Sequence, residues 1–326
     1  ERDRVVAVAD AGPFAWAPPP LDAVRRALAA TASLGPEKAA EAPPPTRTYA
    51  YRAETVGGFA VDVDARCYDD DAAAVAWFLD EVAVAVARLP PNAREALGGC
   101  RIVVNRDTEG FRSMCYTPRN SEGWLEKNGF DAAICGCVHL YRLADYAADC
   151  RLWGPGGSLV HELAHAYHDY HLVNGHRNAA ICARYAAAVH GEGLYDAVQV
   201  KGSQSKPQNF TETASLAFRR SGCGAAAPYG VPRRHYATTN AAEFFAELST
   251  AYLCDDPDDD FNKWQPHNRS QLEAHDPETT SLLRRAWDGD TLAEEVAVVE
   301  EVAVEAAAVE AAAVEAAAPP PPKRQR

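Results

Sequence analysis

The sequence predicts an α+β fold with a small mixed sheet, and three observations carry the prediction. Apolar residues alternate at Phe59, Val61 and Val63 directly after Gly57-Gly58, the pattern of a half-buried strand entered from a tight turn. Val75, Phe78, Val82, Val86 and Leu89 recur at three- and four-residue steps, which puts them on one face of a helix. Two short apolar segments, Arg101 to Asn105 and Ala133 to Arg142, supply further strands before a second series of helices begins.

Each element follows from local chemistry. Residues 1–46 are rich in Pro and Ala, with one short helical pattern around Leu21 to Leu34, and are expected to be a leader or linker. A single catalytic-sized domain is expected over 47–290. It opens with a hairpin containing Tyr49 and Tyr51, and continues with a helix from Asp71 to Leu89 that Pro90-Pro91 stops. After a histidine-rich segment come a helix from Asn178 to Val189, a long Gly/Ser/Pro/Arg loop over 201–234, a helix from Asn240 to Leu253 and a closing helix from Thr280 to Trp287. Residues 291–326 form a low-complexity Ala/Glu/Pro tail whose five-residue period gives no consistent apolar helix face.

Composition excludes some partners. A formal charge of −14 offers no basic face for phosphates, so no nucleic acid is expected. No apolar run reaches the 18 or so residues of a membrane span. Nine cysteines and the sequons at Asn209 and Asn268 favour a secreted, extracellular protein, with a cytoplasmic setting left open. Cys135-Gly136-Cys137 lacks the two-residue gap of a zinc pair and is given no metal role. The acidic run Asp255 to Asp260 does not have the spacing of a calcium loop.

The most informative stretch is GSLVHELAHAYHDYH, residues 157–171. With Ser158 as N-cap, His161 falls in the first helical turn. His161 and His165, four residues apart, project from one face and can share an ion, while Glu162 sits about 100° round the helix, within reach of a water on that ion. Val160, Leu163, Ala164 and Tyr167 form a separate apolar stripe that buries the helix. One catalytic zinc is the expected cofactor, and such an ion takes three protein ligands.

Two routes lead to the third ligand. His171 stands where HExxHxxGxxH would put its last histidine, but His168 occupies the glycine position and the one methionine, Met114, lies upstream of the motif, so no Met-turn follows. His168 and His171 are therefore expected at the cleft edge or in solvent. The other route is the segment Asn240-Ala241-Ala242-Glu243-Phe244-Phe245-Ala246-Glu247. Asn240 and Glu243 have capping-box spacing, which could by itself explain Glu243. Glu247 four residues on argues for more, because two like charges on one face repel unless a cation offsets them. Glu243 is assigned to the metal, and Glu247 to a histidine N–H behind it.

At these residues the chain resembles a known family. HELAHAYHD, followed by Tyr236-Ala237-Thr238-Thr239-Asn240-Ala241-Ala242-Glu243-Phe244-Phe245-Ala246-Glu247, is similar to the gluzincin peptidases that include the catalytic domain of anthrax lethal factor. The resemblance covers roughly 25 residues in two segments, and the interval between them is longer here. It implies a zincin-like domain with zinc bound by His161, His165 and Glu243, Glu162 as general base, and Tyr236 as hydrogen-bond donor to the oxyanion.

The expected function is that of a zinc endopeptidase, acting on a peptide or protein substrate, and a monomer is expected. By analogy, the strand from Ala133 to Arg142 is the candidate to edge the cleft and pair with an extended substrate. Two rivals stand beside this reading: a zinc amidohydrolase on non-peptide substrates, and a non-catalytic zinc-stabilised binding module, against which Glu162 argues because a structural ion has no use for a base.

Overall fold

The computed structural model describes residues 44–150, 152–201 and 233–293. Most of the expected leader and tail, nearly all of the long loop, the sequon at Asn209 and Cys223 lie outside the described residues.

The domain is α+β, built on one five-stranded mixed sheet. Strands β1 (Tyr51–Val56) and β2 (Phe59–Asp64) form the expected hairpin. Gly57 and Gly58 both take positive φ at its turn, where a side chain would be strained. Helix α1 (Ala65–Arg88) follows, and a non-helical Asp71 divides it. The Asp71 carboxylate accepts from the N–H groups of Ala73 and Ala74, so the expected start at Asp71 is a second helix start inside α1. Then come α2 (Pro91–Ala96), β3 (Ile102–Val104), β4 (Met114–Tyr116), α3 (Glu122–Lys127), β5 (Val138–Leu140) and α4 (Leu143–Asp149).

The strand order is β1-β2-β3-β5-β4, with β2, β3 and β5 parallel and the two outer strands antiparallel. This corrects the expectation for Ala133 to Arg142. Only Val138–Leu140 is strand; a 3₁₀ turn occupies Ala132–Ile134, and Gly136 turns the chain at φ 72°. The strand lies inside the sheet between β3 and β4, so both of its edges are already paired. The edge on the cleft side belongs to β4, which the sequence reading left unassigned.

One sheet face presents Val61, Val63, Ile102, Val104, Val138 and Leu140 to the main core, where helix α5 (Gly157–His171) and α1 pack. The other face carries Val103, covered by Leu125, Phe130, Ile134 and Tyr141. Beyond α5 lie α6 (Ala179–Tyr185), which runs on as a π-helical turn over Ala186–Gly191, then α7 (Ala241–Tyr252), α8 (Arg269–His275) and α9 (Pro277–Trp287). Aromatic stacking joins α5 to the last of these: Tyr167 lies 4.3 Å from Trp287 at an interplanar angle of 11°.

Asn268 is fully buried; its side chain caps α8 through Gln271 N–H and donates to the Pro257 and Asp259 carbonyls, so it is no sugar acceptor in the folded chain. The eight described cysteines are free thiols. Among the described residues, no helix is long and apolar enough to cross a membrane.

A buried charge network ties the helical half together. Arg184 on α6 donates to Glu192 at 2.8 Å, Glu278 at 2.7 Å, Thr279 at 2.9 Å and Asp276 at 2.8 Å. Asp276 is fully buried, caps α9 and accepts from Tyr195. Arg184→Met leaves that carboxylate without its cation, so a loss of about 3 kcal/mol or more is expected in urea unfolding. A loss under about 1 kcal/mol would mean that Asp276 is carried by its hydrogen bonds alone.

Candidate metal centre

Helix α5 begins differently from the sequence expectation. Its N-cap is Gly156, at φ 72° and with no side-chain cap, and Ser158 Oγ is buried without a hydrogen-bond partner. His161 is therefore the fifth residue of α5, in its second turn. Instead of Ser158, the buried Glu81 of α1 receives the Gly156 N–H at 2.7 Å, placing a carboxylate at the positive end of the helix. A Cβ on Gly156 would stand 2.8 Å from the Ala85 backbone nitrogen, so only glycine allows α1 this close.

Helix α7 starts from Asn240, whose Oδ1 accepts the Glu243 N–H at 2.9 Å. The cap expected at Asn240 is thus present, yet the Glu243 carboxylate extends to the histidines of α5. Its Oε2 lies 3.2 Å from His161 Nε2 and 3.2 Å from His165 Nε2, and the two Nε2 atoms are 3.1 Å apart. Among the described residues these three form the one group whose ligand atoms converge closely enough to hold a metal ion. The spacing is itself informative, since donors about 2.0–2.1 Å from a common tetrahedral centre stand about 3.3 Å apart. Two nitrogens, one carboxylate oxygen and that spacing suit a divalent metal ion.

Glu247, one helical turn further along α7, is buried, and its Oε1 lies 3.7 Å from His161 Nδ1. It stands behind His161 as expected, at a distance longer than a formed hydrogen bond; both His161 Nδ1 and Glu247 Oε2 lack hydrogen-bond partners. Burial pushes the Glu247 carboxyl up to about 7, and the Glu243 charge adds to this. At His161 burial opposes the charged ring, but the hydrogen bond to Glu243 and the charges of Glu247 and Glu162 prevail and raise it to about 9. Burial raises Glu162, and the Glu243 carboxylate adds to the shift.

Glu162 lies in the cleft with one oxygen fixed, Oε2 accepting the Tyr116 N–H of β4 at 2.7 Å. Tyr236 sits on a 3₁₀ turn before α7, 44% exposed, with its hydroxyl 3.3 Å from Glu243 Oε1. Burial and Glu243 hold that phenol up at about 12, so it stays protonated. The structure thus brings His161, Glu162, His165, Tyr236, Asn240, Glu243 and Glu247 to one cleft of about 450 Å³.

It does not bring His168 or His171 there. Expected at the cleft edge or in solvent, His168 is fully buried, 4.6 Å from the Phe245 ring, and burial drives its proton affinity well down. His171 is half-buried, stacks on Tyr167 and hydrogen-bonds the Gly289 carbonyl oxygen at 3.1 Å. Sequence reasoning missed other cleft residues: Met114 and Tyr116 on β4, Trp153, His176, Lys263 and Trp264. His176 hydrogen-bonds the His165 carbonyl oxygen at 3.0 Å, and no periodic spacing marks it.

Compared with protein-family models, curated proteins and solved structures, the chain has no match.

A metal entering this site must displace the His161 proton, which the metal-free protein holds up to about pH 9. Zinc affinity is accordingly expected to rise with pH between 6.5 and 8.5, by up to about tenfold per unit, in competitive chelator titrations. A flat profile would contradict a proton held at His161.

Proposed function

We propose that the chain is a zinc-dependent metallopeptidase of gluzincin type with a zincin-like catalytic domain, cutting within peptide chains. One observation carries the reading: a converged donor set of two histidines and a glutamate, with Glu162 in the same cleft beside it. Three protein donors leave a fourth position open, which a structural ion would not require. The resemblance of the two motif segments to lethal-factor-like peptidases agrees with this assignment.

Zinc, when bound, supplies a Lewis acid that acidifies water and polarises a carbonyl. The rest is done by side chains of this chain. Glu162 takes the proton of the attacking water; its raised proton affinity brings it nearer the working pH, which suits a group that must accept a proton and then pass it to the leaving amine. The Tyr116 N–H holds Glu162 Oε2, which keeps the carboxylate oriented. Tyr236, a protonated donor at the exposed rim of the cleft, hydrogen-bonds the developing oxyanion. Glu247 faces His161 Nδ1 at 3.7 Å and offers that side of the ring a carboxylate. For an extended substrate the available sheet edge is β4, whose other side pairs with β5 and whose residues line the cleft.

The test is a mixed peptide library read by mass spectrometry. Glu162→Gln is expected to keep its zinc and lose at least about a hundredfold in turnover. Tyr236→Phe is expected to lower kcat by about ten- to a hundredfold with KM little changed. Glu243→Ala should lose zinc on dialysis. Cutting by Glu162→Gln at the wild-type rate would overturn the reading.

A further inference from the structure

Lys263 is the one Lys or Arg among the described residues that line the cleft, in a chain of net charge −14. The backbone around it is firmly placed. Its carbonyl oxygen accepts the Lys201 N–H at 3.1 Å, Trp264 bridges to Val200, and Gln265 N–H donates to the Gln199 carbonyl oxygen at 2.9 Å. The neighbouring Asn262 is fully buried and receives no solvent. The side chain, by contrast, is only half-buried, and its ammonium makes no hydrogen bond or ion pair with a described residue. The ammonium lies over the Trp264 ring, 5.9 Å from its centre.

Glu247 feels the Lys263 charge, but no ion pair joins them, and Glu247 Oε2 remains buried without a partner. Glu243 and Glu162 are engaged by the histidines and by Tyr116. A cation held on a fixed backbone, lining the cleft and without a hydrogen-bond or ion-pair partner among the described residues, has an electrostatic demand that a ligand anion can meet.

We propose that Lys263 is a specificity-determining residue that recognises a carboxylate on the substrate, either an acidic side chain close to the cleaved bond or the free C-terminus of a short product-like peptide. The inference rests on the peptidase reading for its substrate class. Tight burial of the pair is not needed: a half-exposed ion pair changes selectivity by about fivefold, enough to separate Glu from its isostere Gln.

The experiment has two arms. In the first, kcat/KM is measured with peptide pairs that carry Glu or Gln on either side of the cut bond, and with pairs ending in a free acid or an amide. The wild type is expected to favour the carboxylate by about fivefold or more; Lys263→Gln abolishes that preference, and Lys263→Glu reverses it, with zinc content unchanged. Whether the gain follows the side chain or the terminus identifies the source. In the second arm the same substitutions are built into zinc-anchoring peptide hydroxamates, and their affinity for the zinc-loaded chain is measured by titration. That arm reports on Lys263 without turnover, so a chain that cuts no peptide defeats the peptidase reading while the affinity ratio still tests this one. Equal affinity for carboxylate and isostere, a preference that survives Lys263→Gln, or an equal loss on every ligand would overturn the proposal; the last would mean that Lys263 acts through Glu247.

Discussion

The closeness of α5 and α7 is the constraint on which the site depends. His165 and Glu243 are 78 positions apart in the chain, yet their ligand atoms stand 3.2 Å apart. That separation is set by the aromatic packing beneath them: Phe245 of α7 lies against His168 of α5 at 4.6 Å and near Trp287, while Trp287 stacks on Tyr167. Trp287 also donates to Ser249 on α7, so α9 braces both helices. Interiors this densely packed do not deform continuously, which lets rigid neighbours define a donor spacing to a few tenths of an ångström.

The same packing creates the electrostatic problem that a metal would resolve. Glu162, Glu243 and Glu247 are drawn together with two imidazoles in a partly dry cleft, where like charges and desolvation both disfavour ionisation. Without an ion the group balances itself with a proton on His161 and a strongly acidic Glu243, held well below its ordinary range by the two histidines against the cost of burial. Two positive charges at the centre satisfy the same carboxylates without that proton.

What was legible in the sequence was whatever depends on short-range spacing. The histidine pair, Glu162 and the helix carrying Glu243 and Glu247 follow from residues three and four apart, and so does the hairpin at Gly57-Gly58. The cap at Asn240 was legible too. What failed needed tertiary information. Ser158 has the chemistry of an N-cap, but a carboxylate from another helix already occupies that end. His168 has the chemistry of a surface residue, but it lies on the face that α7 covers. Ala133 to Arg142 is apolar enough for a long strand, although Gly136 breaks it and β4 covers its outer side. β4 itself is three residues long, too short for alternation to mark, and the remaining cleft residues come from loops whose position only the fold determines.

The carboxylate of Glu81 has a wider meaning. It lies on α1, 75 positions before the glycine whose N–H it receives, and also takes the Tyr146 hydroxyl at 3.4 Å. The start of the helix that carries both histidines is thus fastened to the last third of a helix that contributes none of the three converging donors. Genetic or chemical damage in that distant stretch would surface as a fault of the histidine–glutamate cluster, and a search confined to the neighbourhood of the histidines would look in the wrong place for its origin.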